Sequence, residues 1–557
     1  MSTSRLARVL TLAAAALLTV PLGAQAEVPP PETASFTYTP NLEPIGSSPH
    51  APRASGVFNS DLAFWGDTAY QGNYDGFRII DVSDPANPVE VLNYDECRGN
   101  QGDVIIWDDI LVRSWNSGAL PSGTPPALPT CDGQQVPLGW EGIHIFDVSN
   151  PADPDLIASE EIFSCGSHTA TGVPDLANNR LLVYNNPSAG NQCAGFDIIE
   201  IPLADPANPD NLGVANTGRA CHDVAVILGD AMLAACAGGN GLTMMSIGGT
   251  GGGTLTAPTQ LWTKNLSSEM VSIGHAASFS WDGEIVLFGH EPGGGGQAAC
   301  EESDDPRLRT MFMFNTADGA EVGRWTLPRP QGSNENCTIH NFNVVPSASK
   351  RILVQGNYQA GISVIDFTNP AQAQEIAYAD PAPLAEELQL GGDWSSYWYD
   401  GFIYESDITR GLINWKLNDP AVAGARTLGH LNPQTQESTI PFTGQITTER
   451  CGGKAVTLFG SAGDDLLSGT PKADVIVGGA GNDRIIALKG DDVVCAGAGN
   501  DKVSGSGGND ILKGQAGKDN LRGGGGRDRL IGGKGRDRCH GGPGDDVAKS
   551  CKKKLQI

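Results

Sequence analysis

Ten aspartates follow one another at intervals of nine residues: Asp465, Asp474, Asp483, Asp492, Asp501, Asp510, Asp519, Asp528, Asp537 and Asp546. Each is sixth in a nine-residue unit, and ten such units run without insertion from Gly460 to Lys549. Carboxylate oxygens are the hard donors that Ca²⁺ prefers over nitrogen or sulfur. Position four is Gly in nine of the ten units, Lys472 being the exception. Glycine permits the positive φ of a tight turn and lets carbonyl oxygens approach an ion. A second set is made of imidazoles. His168, His222, His275 and His340 are four of only nine histidines in 557 residues, and each opens a short apolar run. Imidazoles brought together from such runs could hold iron, copper or zinc.

The aspartates need an element that stacks one turn on the next. Position eight of every unit is apolar: Leu467, Ile476, Ile485, Val494, Val503, Leu512, Leu521, Leu530, Cys539 and Ala548. The pattern resembles the calcium-binding nonapeptide repeat of RTX proteins, a parallel β-roll. That resemblance implies two units per coil, the eighth residue pointing inward, and one ion shared by each stacked pair, hence about eight sites. It also implies that calcium binding and folding are coupled, because stacked carboxylates repel and a Gly-rich chain loses much entropy on ordering. Lys518, Arg527 and Arg536 at position five, and Arg484, Lys502, Arg529 and Arg538 at position seven, depart from an acidic repeat. They are expected to offset part of the Asp repulsion and to weaken calcium binding in units seven to nine.

The histidines belong to a different architecture. Beyond residue 55 the chain consists of short β-branched runs separated by Gly, Asn, Asp and Pro, with almost no helical periodicity. The phrase Phe77 to Pro88 returns as Ile143 to Pro154, with weaker copies at Phe196–Pro209, Ile362–Pro370 and Leu412–Pro420. This resembles the LVIVD repeat of β-propellers, a strand followed by a D-V-S-x-P-x-x-P turn and another strand. Seven blades are expected, opening near Ser60, Gly102, His168, His222, His275, His340 and Trp394, with insertions at Asn116 to Gly139 and Pro292 to Arg307. The opening strand of a blade is innermost, so the four histidines should gather at one mouth of the channel. Hydrogen bonds between blades are the simpler use for them. Glu291, Glu405, Asp407 and Arg410 are expected on the solvated surface, and His144 packed within or at the edge of blade 2.

The expected class is all-β: a seven-bladed propeller followed by a parallel roll. The divisions are a signal peptide (1–26), a Pro-rich arm (27–55), the propeller (56–435), a linker (436–459), the roll (460–549) and a basic tail (550–557). Arg5, Arg8, the apolar run Val9 to Val20 and the motif Ala24-Gln25-Ala26 read as a secretory signal. Twelve cysteines fit an oxidising compartment. Cys221 with Cys236 is the best-supported bridge, across a turn at Leu228-Gly229, and Cys300 with Cys337 and Cys539 with Cys551 are further candidates. The net charge of −28 is unevenly spread: the segment from Cys451 carries +4 and everything before it −32. Such an acidic surface argues against nucleic acid or an anionic membrane as partner, and no membrane span is expected. The leading functional reading is a secreted calcium-binding protein whose propeller recognises an extracellular protein, glycan or small molecule. The alternatives are a secreted metalloenzyme, oxidoreductase or hydrolase, using the four histidines, and a structural envelope or matrix protein. Calcium is the expected cofactor, with a transition metal under the enzyme reading.

Overall fold

The computed structural model describes residues 29–50, 58–99, 102–116, 130–137, 139–187, 193–444, 450–456, 458–460, 465–469 and 472–556. The expected signal peptide and much of the blade 2 insertion lie outside these residues. Among the described residues there is no α-helix, only strands and short 3-10 turns. Seven antiparallel four-stranded units form the propeller. Their innermost strands are Asn59–Trp65, Val104–Trp107, Ala170–Asp175, Asp223–Ile227, Gly274–Phe279, Asn341–Val344 and Asp393–Tyr399. In the repeated phrase, the Asp side chain folds the chain into the Pro turn: Asp81 Oδ1 accepts the Ser83 N–H, and Asp147 Oδ1 the Ser149 N–H, both at 2.9 Å. The third strand of each of blades 1 to 6 meets its outer partner with a one-residue register shift, as at Ile79/Ile80 and Ile145/Phe146. A recurring bulge increases the twist that lets outer strands wrap around a propeller.

Two segments behave differently from the sequence expectation. The Pro-rich arm contains Phe36–Tyr38, which pairs with Gln374–Pro381 of blade 6, and Leu42–Pro49, which is the fourth strand of blade 7. The ring is therefore closed by joining the two ends of the propeller sequence. Arg78, fully buried, clamps this closure by donating to Ser48 Oγ at 2.6 Å, Gln71 Oε1 at 2.6 Å and Glu90 at 2.7 Å.

The second segment runs from 429 to 443, and its part from 436, expected to be linker, also packs on the propeller. It runs around the channel end opposite the histidines and touches the blades in order. Gly429 O accepts the Tyr399 hydroxyl of blade 7, and Leu431 pairs with Phe64 of blade 1. The Asn432 amide holds both the N–H and the C=O of Ile106 in blade 2 at 2.9 Å. Thr435 donates to Gly172 O of blade 3, and Thr435–Gln436 pairs in parallel with Asp223–Ile227 of blade 4. Gln436 and Ile440 bond to Phe279 and Trp281 of blade 5, and Thr443 to Ala348 of blade 6.

The roll is two six-stranded parallel sheets whose register advances by 18 residues per coil, as in Val475↔Val493↔Ile511↔Arg529↔Val547. All ten position-eight residues, five from each sheet, form one buried core between the sheets. Disulfides tie its two ends, Cys451–Cys495 and Cys539–Cys551. Cys221–Cys236 and Cys300–Cys337 are also bonded, together with Cys97–Cys131 and Cys165–Cys193. The Cys221–Cys236 hairpin turns later than expected, since Val224, not Cys221, lies opposite Cys236. The first coil meets the propeller through Lys472 Nζ, 3.5 Å from Asp67 Oδ1.

Candidate functional site

The four histidines come together. Each lies at or just before the start of an innermost strand, which sets all four at the same end of the channel. His168 Nε2 is 3.0 Å from His222 Nε2. The His222 and His275 ring centres are 4.0 Å apart, and those of His275 and His340 4.2 Å. His340 Nδ1 is bonded to the Trp394 carbonyl, so it carries the proton and turns the lone pair of Nε2 inward. His168 Nδ1 lies 2.9 Å from the Asn116 side-chain amide. His222 Nδ1 and His275 Nδ1 are buried without a hydrogen-bond partner among the described residues.

Carboxylates complete the cluster. Glu291 Oε1 is 3.8 Å from His340 Nε2, and Oε2 is 3.9 Å from His275 Nε2. Asp223 Oδ1 is 3.8 Å from His222 Nδ1. His275, His340, Glu291 and Asp223 are buried, whereas His168 and His222 keep part of their surface accessible. Glu291, expected on the surface, is thus an interior group, and so are Glu405 and Asp407 of blade 7. His144 is packed inside blade 2, stacked on Trp140 with Nδ1 2.8 Å from Ser159 Oγ. Cys97 and Cys131, which lie near His144, are bonded to each other and offer it no thiolate.

The electrostatics suit a cation. Burial in the channel, then the neighbouring imidazoles, hold His168 and His275 well below the ordinary histidine range. His168 keeps some accessible surface, but the protein packed around the ring removes most of its bulk hydration. Burial brings His340 to about 3. His222 goes the other way, because Asp223 and Glu291 outweigh the burial that opposes its charge. Burial raises Glu291, against the pull of His222 and Tyr358. Without metal, the cluster has neutral imidazoles and one ring disposed to carry a positive charge. Such a donor set fits a transition ion, since neutral imidazole is the ligating form.

In the roll, the aspartates form two rows. The backbone N–H of each of Asp465 to Asp528 donates to Oδ1 of the Asp 18 residues later, at 2.8–3.1 Å. Among the described residues the other oxygen, Oδ2, is buried without a hydrogen-bond partner in Asp492, Asp510, Asp519, Asp528, Asp537 and Asp546. Backbone carbonyls share its space. A Cβ on Gly505 would lie 2.1 Å from Asp510 Oδ2 and 2.6 Å from Gly523 O, and Gly514 and Gly523 repeat the arrangement. Orphaned carboxylate oxygens beside carbonyl oxygens fit calcium. Burial, then neighbouring aspartates, push Asp492 up to about 7 and Asp510 and Asp519 to about 6. The Lys518, Arg527 and Arg536 residues are exposed, whereas the aspartates that follow them are buried.

A family model described as the RTX calcium-binding nonapeptide repeat matches residues 459–494, 490–521 and 513–548. A model of the LVIVD repeat matches residues 59–96 and 136–160. The chain joins LVIVD repeats to RTX calcium-binding repeats. A search of the curated proteins finds no match. Similar solved structures include a chain of "Crystal Structure of Mitotic Checkpoint Complex", 11% identical, covering 75% of this chain and all of that one at a TM-score of 0.40. Another, "YCF48 bound to D1 peptide", is 10% identical over 70% of this chain and 99% of that chain, at 0.39. The Cps50 (Swd1) β-propeller domain of Myceliophteria thermophila is 10% identical over 66% of this chain and 98% of that chain, also at 0.39. The blade count of the LVIVD propeller rests on its own strand order.

Proposed function

We propose that this chain is a secreted oxidoreductase whose propeller holds one redox-active ion, iron or copper, on His168, His222, His275 and His340, with a calcium-filled RTX roll attached. One observation carries the reading: the imidazoles of four successive blades touch one after another, with Nε2 atoms 3.0 Å apart in the His168–His222 pair, and the donor atoms of His275, His340 and Glu291 lie within 4.8 Å of one another. Ligands about 2.1 Å from one ion and at right angles to each other stand about 3.0 Å apart. Four imidazoles without a thiolate suit iron or copper, whereas structural zinc usually recruits thiolate and catalytic zinc three protein ligands. When bound, the ion supplies one-electron chemistry. The chain keeps the His168, His275 and His340 imidazoles neutral, shields His275 and His340 from water, and leaves an accessible side at His168 and His222 for a small substrate.

Secretion is supported by the basic and apolar start of the sequence, by six disulfides, and by calcium sites that suit extracellular concentrations. The test is elemental analysis with electron paramagnetic resonance on secreted protein purified without chelating resin. One equivalent of iron or copper, lost in a His222→Ala, His340→Ala double variant, is expected. Zinc in its place would remove the redox function, and no transition metal after reconstitution would remove the centre. A recognition role is the second reading, favoured by the blade 5 insertion that Cys300–Cys337 ties down. Glycan or protein binding that is lost when residues 296–304 are replaced by a short Gly-Ser loop would support it.

A further inference from the structure

Resting on the four-imidazole reading, we infer that Glu291 is a fifth, anionic ligand of the same ion and that Tyr358 is the residue that positions it. The carboxylate faces the ring nitrogens that point into the cluster: Oε1 lies 3.8 Å from His340 Nε2 and Oε2 3.9 Å from His275 Nε2. Two ligands on one ion at about 2.1 Å cannot be more than about 4.2 Å apart, so both distances fit shared coordination at a wide angle. A carboxylate that merely oriented a ligating imidazole would bond to the outer nitrogen of that ring. In His340 that place is taken by the Trp394 carbonyl, and His275 Nδ1 has no partner among the described residues.

Three blades hold the carboxylate in place. The Glu291 N–H donates to Ile273 O at 2.9 Å. The Tyr358 hydroxyl donates to Oε1 at 2.8 Å, and its ring lies 4.4 Å from that of His340. Tyr358 has a φ of 51°, a left-handed conformation unusual for a tyrosine, kept by reciprocal backbone bonds with Asp393 of 3.0 and 2.9 Å. Gly295 covers the pair so closely that a Cβ there would fall 2.4 Å from Glu291 Oε1 and 2.6 Å from the Tyr358 hydroxyl. The Asn336 side chain holds the Gly295 carbonyl at 2.9 Å, next to the Cys300–Cys337 bond. A polypeptide that keeps an αL tyrosine and a glycine lid around a single carboxylate fixes that carboxylate to within the tolerance a ligand needs.

The consequence is a centre of four neutral nitrogens and one negative oxygen, which favours a harder, higher-charge ion such as iron over copper(I). The test titrates calcium-loaded full-length protein with Co(II), using absorption to count ligands and a competing chelator to measure affinity. Loss of a positioning contact typically weakens metal binding about 10–100-fold. Tyr358→Phe is therefore expected in that range with the five-ligand spectrum kept, and Glu291→Gln beyond about 100-fold with a four-ligand spectrum. Glu291→Asp, which keeps the charge, should bind more tightly than Glu291→Gln. If Glu291→Gln binds Co(II) with wild-type affinity and spectrum, the assignment is overturned while the four-imidazole site stands. If the wild-type protein takes no Co(II), the four-imidazole reading itself falls.

Discussion

Calcium binding by the roll should release protons, in a number set by the buried aspartates. Asp492 sits at about 7, and Asp510 and Asp519 at about 6, because burial opposes their charge and neighbouring aspartates add to it. At pH 6 the first is about nine-tenths protonated and the other two about half, while Ca²⁺ takes only the carboxylate. Loading at pH 6 therefore displaces about two protons from these groups, and loading at pH 8 about one tenth of one. Integrated over that interval, the combined calcium constant of the three sites rises about 40-fold. The sign for stability follows from the same shifts. These groups hold more protons folded than unfolded between their ordinary range and about 7, so the metal-free roll is stabilised at low pH and loses this contribution as pH rises through 6 to 7. Calorimetric titration of calcium-depleted protein in two buffers of different ionisation enthalpy counts the protons. Calcium heats at pH 6 that do not depend on the buffer would show that loading releases no protons and that these aspartates are already ionised.

Further outcomes follow from individual contacts. Chelating calcium at pH 8 should expose the amides of residues 475–549 to hydrogen exchange and leave the propeller protected; equal protection with and without calcium would show that the roll folds by itself. Leu512→Ala removes a fully buried member of the roll core and should cost about 2–5 kcal/mol, read as a higher calcium concentration at the folding midpoint. Arg78→Met strands the buried oxygens of Ser48 and Gln71 and should destabilise ring closure by about 3–5 kcal/mol, with proteolysis starting within residues 36–49. Asn432→Ala leaves the Ile106 N–H and C=O unpaired and should lower propeller stability by about 1–3 kcal/mol, measured by denaturant unfolding.

The roll was legible because its period is the register itself: a nine-residue unit puts Asp and the apolar residue at the same place in every half-coil. The blades were legible through the D-V-S turn, where one Asp side chain does the same local job in each copy. Ring closure was not, because Leu42–Pro49 contains Pro44, Gly46 and Pro49 and pairs with residues more than 360 positions away. Nor was the segment from Gly429 to Thr443, which has no period of its own and takes its shape from seven blades in turn. For the four histidines the repeat position was the signal, and it was enough to bring them together. Glu291 gave no such signal. It stands at the start of an insertion, and its burial depends on Gly295 within that insertion and on Tyr358, 67 residues further along the chain; its one trace in the sequence is that it directly follows His290 at the end of an apolar run.

The most direct test of a metal centre at the propeller mouth is anomalous X-ray diffraction from crystals of the secreted full-length protein, recorded at the iron, copper and zinc edges. A four-imidazole centre gives a single peak, at the iron or copper edge, about 2.1 Å from Nε2 of His168, His222, His275 and His340. Four rings bonded only to one another and to water, with no anomalous peak between them, would contradict it.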